Sequence, residues 1–337
     1  MAELIDKIRG IGLTGESLLK LLDLSDTQML QLVDLAIDLK ARKRRGEHLA
    51  NPLLKGKNIC LVFEKSSTRT RCATVCAVRD EGGQAEYLGL GDIHFGKKES
   101  VADSARVLGR FFEGILFRGF KQETVNGLAK YSGVPVWNGL TDSWHPTQIL
   151  ADLQTIKEHF GHLRGLKVAF VGDGRNNVCN SLMVGCAKAG LDMVDICPSE
   201  LSPEQEILDA ARQAASRNGC TISVEHDPIK GIAGANVIYT DVWASMGEEA
   251  VFQQRLQLLK PYQVNMDLVK ATGNLKSNRV IFLHCLPAFH DDKTELSKAM
   301  GALEVADDVF EAPFSKVFDE AENRLHTIKA MILASLV

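Results

Sequence analysis

Apolar runs of strand length alternate with amphipathic helical patterns along almost the whole chain. Nine runs read as strands: NICLVF (58–63), AEYLGL (85–90), GILFRG (114–119), VPVWN (134–138), KVAFVG (167–172), MVDIC (193–197), TISVE (221–225), NVIYT (236–240) and VIFLH (280–284). Such alternation predicts parallel sheets flanked by helices. Nine strands exceed a comfortable single open sheet, so the pattern predicts a division into four and five. The stretch WHPTQILADLQTIKEHFG (144–161) is the expected bridge. Pro146 suits a first helical position, and Ile149, Leu150, Leu153 and Ile156 recur at helical spacing. A second long amphipathic helix closes the chain at FDEAENRLHTIKAMILASLV.

Length and composition fit that picture. A chain of 337 residues with 45% hydrophobic content suits two well-packed domains. The net charge of −4 offers no general field for nucleic acid or anionic lipid. One basic run, KARKRRG (40–46), ends a helical pattern that opens with a capping box at Ser25; it is expected to be a solvated helix end complementing the helix dipole. Eight scattered cysteines without a C-x-x-C pair read as reduced thiols rather than a disulfide framework or zinc ribbon. The charged start MAELIDKIRG does not resemble a signal peptide, and no run reaches the length of a membrane span. A soluble cytoplasmic protein is expected.

In open α/β sheets ligands bind beyond the carboxyl ends of strands. Six strand ends carry polar groups suited to this: EKSSTRTR after ICLVF, Arg118 after GILF, HPTQ (145–148) beyond VPVWN, DGRNN after KVAFVG, DVWASMG after VIYT, and HCLP after VIFL. The segment 63–71, FEKSSTRTR, is the densest. A helix starting there presents free N–H groups and a positive dipole end, and the hydroxyls and guanidiniums add donors for an anion. An N-cap plus surface arginines would account for one hydroxyl and one cation, not the set. G-x-x-x-x-G-K-[ST] is absent, so a small phosphate group is expected rather than a nucleotide.

STRTR (67–71), HPTQ, DVWASMG (241–247) and HCLP (284–287), in this order over nearly the whole chain, resemble the aspartate/ornithine carbamoyltransferase family, with SMG and HCLP resembling its ornithine members. The resemblance implies two α/β domains, each a parallel sheet flanked by helices, with the C-terminal helix packing back on the first. The expected boundaries are 1–149 plus 323–337 for carbamoyl phosphate and 150–322 for ornithine. It implies transfer of the carbamoyl group from carbamoyl phosphate to the δ-amine of L-ornithine, with no cofactor and no metal.

By the same resemblance Ser67, Thr68, Arg69 and Thr70 bind phosphate, and Arg71 orders their loop. Arg118, His145 and Thr68 polarise the carbonyl, and Gln148 holds the carbamoyl NH2. Arg324, in AENR, returns to this site. Asp241 takes the α-ammonium of ornithine, while Asn177, Ser245 and Met246 take its carboxylate. Cys285 orients the δ-amine with the carbonyl of Leu286 as a further acceptor, both also bordering carbamoyl phosphate. His94, in the loop GDIHFGKKES, corresponds to a family segment that reaches a neighbouring subunit's site, beside Lys97 and Lys98. A homotrimer, or an assembly of trimers, is implied.

Blander readings stand beside these. His145 caps a helix, alone or in addition; Cys285 is an inert buried thiol like most of the other seven; Asp241 is a helix cap; Arg324 is a surface helix cation; the loop lysines are solvated. VAFVGDGRNN could open a dinucleotide fingerprint with Asp195 as its acidic residue, but Asn177 stands where the third glycine belongs. A regulator on a decayed transferase fold would not be expected to keep every charged site residue. Relatives using putrescine, N-acetylornithine or aspartate differ in what the SMG segment must bind. A metal site from His145, His284, Cys285 and His290 lacks ligand spacing. Carbamoyl phosphate, binding first, is expected to close the domains and order 241–247.

Overall fold

The computed structural model describes residues 2–93, 95, 98–243 and 249–337. His94, Lys97, Ser245 and Met246 lie outside the described residues. Two units divide the chain: Met1–Gln154 with Glu322–Val337, and Thr155–Ala321. Both divisions fall inside helices, Pro146–Phe160 and Val317–Leu336.

The first unit holds a four-stranded sheet of β1 (Asn58–Phe63), β2 (Gln84–Leu88), β3 (Gly114–Arg118) and β4 (Val136–Leu140), in the order β2-β1-β3-β4. Every pair is parallel. The inner strands β1 and β3 are buried almost throughout, which is why they read as continuous apolar runs, while edge strand β2 is half exposed. β4 starts later than its apolar run, past Pro135, which has no N–H for the ladder. From β1 the chain crosses to β2 on one side, and from β3 it crosses to β4 on the other. The order therefore reverses between β1 and β3, and a crevice opens at their carboxyl ends.

The second unit holds β5 (Lys167–Val171), β6 (Asp192–Ile196), β7 (Ile222–Glu225), β8 (Val237–Tyr239) and β9 (Ile281–Leu283), all parallel, in the order β7-β6-β5-β8-β9. Here the reversal lies between β5 and β8. All nine expected strands form, divided four and five.

The basic run departs from expectation. Ser25 does cap the Asp26–Arg44 helix with a reciprocal Gln28 box. The end of that helix is only partly a solvated cationic turn: Arg44 and Arg45 are exposed, but two cations of the run are not. Lys40 and Arg42 are each 5% exposed. Arg42 donates twice to Glu81, at 2.7 and 2.9 Å, and Lys40 donates to Asn323 at 2.7 Å. Lys43 and the fully buried Lys329 share Asp80, at 2.7 and 2.8 Å. Cations buried this far need hydrogen-bonded partners. These partners tie the last residues of the chain to the far end of the Thr68–Asp80 helix.

Candidate active site

In the first unit, Ser67 has extended backbone and caps the Thr68–Asp80 helix by accepting from the Thr70 N–H at 3.2 Å. Thr68 is exposed, Arg69 and Ser67 are half-buried, and Thr70 is buried. Arg71 turns away and stacks 3.7 Å from the Tyr87 ring, so it braces the segment against β2. Arg118 ends β3 where its register against β4 shifts between Phe117 and Arg118. Such an irregularity re-aims a side chain, and here Arg118 Nη1 reaches Thr70 Oγ1 at 3.4 Å. Gly139 packs closely alongside: a Cβ there would lie 3.0 Å from the Phe117 carbonyl and 3.3 Å from the Thr70 methyl, so neighbours would have to give.

Arg324 is not a surface cation. It is buried, and its Nη2 donates to Thr70 Oγ1 at 3.2 Å and Thr147 Oγ1 at 3.3 Å. Its Nη1 donates to Gln148 Oε1 at 2.6 Å. His145 stands immediately before the Pro146–Phe160 helix, and its carbonyl accepts from the Gln148 N–H at 3.1 Å. Burial, and then the charges of Arg324, Arg118 and Arg69, hold its imidazole well below the ordinary histidine range. His145 is therefore a neutral ring among three guanidiniums. The set can bind a dianion and still donate from an uncharged imidazole.

In the second unit, Gly172 (φ +151°) and Asp173 follow β5. Asn176 caps the Asn177–Ala189 helix, accepting from the Val178 N–H at 2.7 Å. Its Nδ2 donates to Asp241 Oδ2 at 2.9 Å, joining the ends of β5 and β8. Asp241 Oδ1 accepts from the Val242 N–H at 2.8 Å and from Cys285 Sγ at 3.1 Å. Asn177 is the first helical residue and half-buried. The structure thus brings Asp241 and Cys285 together and adds Asn176, which the sequence reading passed over for its neighbour.

The HCLP turn is built around its histidine. His284 is fully buried, with Nε2 3.2 Å from Glu304 Oε1, while Nδ1 accepts from the Leu286 N–H at 2.9 Å. Burial alone would lower its pKa; the Glu304 hydrogen bond and charge, together with the charges of Asp241 and Glu320, outweigh burial and raise it. Acceptance at Nδ1 places the neutral ring's proton on Nε2. Glu304 also accepts from the Phe289 N–H at 2.7 Å, and Glu320 accepts from the His284 N–H at 2.9 Å and the Tyr239 hydroxyl at 3.0 Å. Leu286 takes a left-handed φ of +59° and precedes a cis proline. Neither glutamate is signalled by spacing; each comes from a distant segment.

Among the described residues, Asp241, His284 and Cys285 form one group close enough to hold a metal ion, and His290, Asp307 and Glu311 form another. In the first, both ring nitrogens of His284 are already engaged. Asp195, which a dinucleotide fingerprint would offer to a ribose, is fully buried beneath Gly174, where a Cβ would come within 2.3 Å of its Oδ2. Cys72 and Cys76 are exposed, unlike the buried Cys60, Cys179, Cys186 and Cys197. Among the described residues no helix is long and apolar enough to cross a membrane.

Residues 16–158 match the family model described as the carbamoyl-P binding domain of aspartate/ornithine carbamoyltransferase, and residues 164–335 match its Asp/Orn binding domain. The chain belongs to the aspartate/ornithine carbamoyltransferase family. Within this family it is 55% identical to the catabolic ornithine carbamoyltransferase of Bacillus licheniformis, over 97% of the chain and 98% of that relative. It is 50% identical to the catabolic ornithine carbamoyltransferase of Enterococcus faecalis, over 96% of each. Among solved structures, the ornithine carbamoyltransferase of Pyrococcus furiosus superposes with a TM-score of 0.87 at 41% identity, covering 96% of this chain and 98% of that one. The polar residues named above end or follow β1, β3 and β4 in the first sheet and β5, β8 and β9 in the second.

Proposed function

We infer that this chain is an ornithine carbamoyltransferase, transferring the carbamoyl group of carbamoyl phosphate to the δ-amine of L-ornithine to give L-citrulline and phosphate. The observation that carries the choice of amine is at the end of β8, where the Asp241 carboxylate, held by Asn176 and Cys285, offers an anion to a substrate ammonium. An aspartate substrate would call for extra cations for its second carboxylate.

The proposed division of labour follows the chemistry. Residues 1–149 with 323–337 bind carbamoyl phosphate, and 150–322 bind ornithine. Phosphate is taken by the N-terminus of the Thr68–Asp80 helix with Ser67, Thr68, Arg69 and Thr70, while Arg71 orders the segment. As the amine attacks, negative charge grows on the carbonyl oxygen. Arg118, Thr68 and the neutral imidazole of His145 donate to it; donors fixed beforehand stabilise that charge by about 2.7–4 kcal/mol each. Arg324 and Gln148 hold the carbamoyl end. Asp241 fixes the α-ammonium, Asn177 with Ser245 and Met246 the α-carboxylate, and Cys285 with the Leu286 carbonyl orients the deprotonated δ-amine. Displacement by the amine needs no covalent enzyme intermediate. Both directions of the reaction use the same residues.

The proposal extends to a cytoplasmic homotrimer, or assembly of trimers, in which His94 and the neighbouring lysines serve an adjacent subunit. The test is phosphate release from carbamoyl phosphate with ornithine, putrescine, N-acetylornithine or aspartate. Activity with ornithine is expected; activity confined to another amine would overturn the assignments of Asp241, Ser245 and Met246.

A further inference from the structure

The Gln148 carboxamide is gripped at both ends by groups that admit one orientation. Its Nε2 donates to Asp152 Oδ1 at 2.9 Å, and its Oε1 accepts from Arg324 Nη1 at 2.6 Å. Reversing the amide would set its oxygen against a carboxylate and its N–H groups against a guanidinium. All three side chains are buried, at 1%, 0% and 3% exposure, where such mismatches are felt most strongly. Gln148 and Asp152 lie one turn apart on the Pro146–Phe160 helix, so the pairing is set by a rigid element. The carboxamide oxygen is consequently kept on the side of Arg324, whose other nitrogen reaches Thr70 of the phosphate segment.

That orientation has a chemical meaning. An oxygen on the ligand side accepts from an NH2 and offers nothing to a CH3. Carbamoyl and acetyl phosphate share the phosphate and the carbonyl and differ in this one group. We propose that Asp152 is a positioning residue that fixes the donor–acceptor sense of Gln148 and so makes the site select an amino-bearing acyl phosphate over a methyl-bearing one. The proposal rests on the reading that Gln148 holds the carbamoyl NH2. Asp152 itself touches no substrate; it acts through Gln148.

The experiment compares Asp152→Asn, Gln148→Met and the double variant in the full chain. The readouts are kcat/KM for carbamoyl phosphate, inhibition constants for acetyl phosphate and inorganic phosphate, and melting temperature. Asn is isosteric but can face Gln148 with either end, which releases the constraint. Asp152→Asn is expected to lower kcat/KM for carbamoyl phosphate by about tenfold, as losing one recognition hydrogen bond does. The phosphate constant should hold within about twofold, and the gap between carbamoyl and acetyl phosphate should narrow. Gln148→Met should do the same, and the double variant should be no worse than Gln148→Met, because both remove one contact. If Asp152→Asn does not fold, Asp152→Ser carries the same expectations. A parallel loss for phosphate and carbamoyl phosphate would mean that Asp152 merely shapes the fold, and would overturn the proposal. A wild-type-like Asp152 variant beside an impaired Gln148→Met would overturn it while sparing the role of Gln148. A fully active Gln148→Met would remove that role, and the proposal with it.

Discussion

Asn176 Nδ2 donates to Asp241 Oδ2 at 2.9 Å, so the residue that caps the helix after β5 also aims the carboxylate at the end of β8. One side chain thereby links the two strands flanking the sheet reversal. Asn176→Ala should leave Asp241 held at Oδ1 alone, by the Val242 N–H and Cys285, with Oδ2 no longer aimed. The KM for ornithine should rise about tenfold, consistent with a lost charge-assisted hydrogen bond, while the KM for carbamoyl phosphate stays put. Loss of the cap should lower stability by about 1 kcal/mol. Steady-state kinetics with each substrate varied would check this, and equal rises in both KM values would refute it.

Arg69 is one of three guanidiniums whose charge bears on His145. Arg69→Ala should remove a phosphate ligand without exposing core, so melting temperature should change little. Turnover should fall by at least about a hundredfold if the contact strengthens in the transition state, in keeping with the loss of about 2.7 kcal/mol or more seen for comparable donors. Calorimetry with inorganic phosphate would separate binding from chemistry; unchanged phosphate affinity would exclude Arg69 from the anion site.

Glu304 accepts from both His284 and the Phe289 N–H and is fully buried. Glu304→Leu should strand the buried His284 donor, at about 1–3 kcal/mol, and the half-buried Phe289 N–H at less, and loosen the turn that carries Cys285. Glu304→Gln keeps one acceptor oxygen and should recover part of the loss. Denaturant unfolding with a parallel kcat measurement reads both effects, and a Leu variant as stable as the parent would contradict this account.

Burial raises the Asp195 carboxyl from 3.8 to about 7, assisted by the charge of Asp173 and opposed by the thiols of Cys179 and Cys197 and by His226. The folded chain therefore keeps a proton that the unfolded chain releases between these values. By linkage its contribution is most favourable below about pH 4, declines as pH rises, and reaches a penalty on the order of 4 kcal/mol above about pH 7. Asp195→Asn cannot titrate. Its stability relative to the parent should improve from pH 5 to pH 8, as read by thermal melts; a difference that does not vary with pH would count against a protonated Asp195.

Much of this was legible because the signals were local. Nine apolar runs became nine strands, and Pro146 and Ser25 started the helices they signalled. Arg69, Arg118, His145 and Asp241 stand where parallel strands end, and that is a rule of topology. What stayed hidden was made by distant contacts. The buried state of Lys40 and Arg42 depends on Asn323 and Glu81. Glu304 and Glu320 support the HCLP turn from 20 and 36 residues away. Asn176 and Asn177 are indistinguishable by composition, and only the cap geometry separates the one that holds Asp241 from the one that begins the helix.

The unit that carries Thr70, His145 and Gln148 also includes Glu322–Val337, with Thr155–Ala321 interposed. During synthesis on the ribosome the intervening unit is therefore complete before the first one is. Until Arg324 and Lys329 emerge, a nascent chain holds Thr70 and Gln148 without the guanidinium that bridges them, and Asp80 with only one of its two lysines. The second unit can fold as soon as it is extruded, whereas the first must wait with an unfinished core. A chain released before Arg324 would thus lack the side chain that joins Thr70, Thr147 and Gln148.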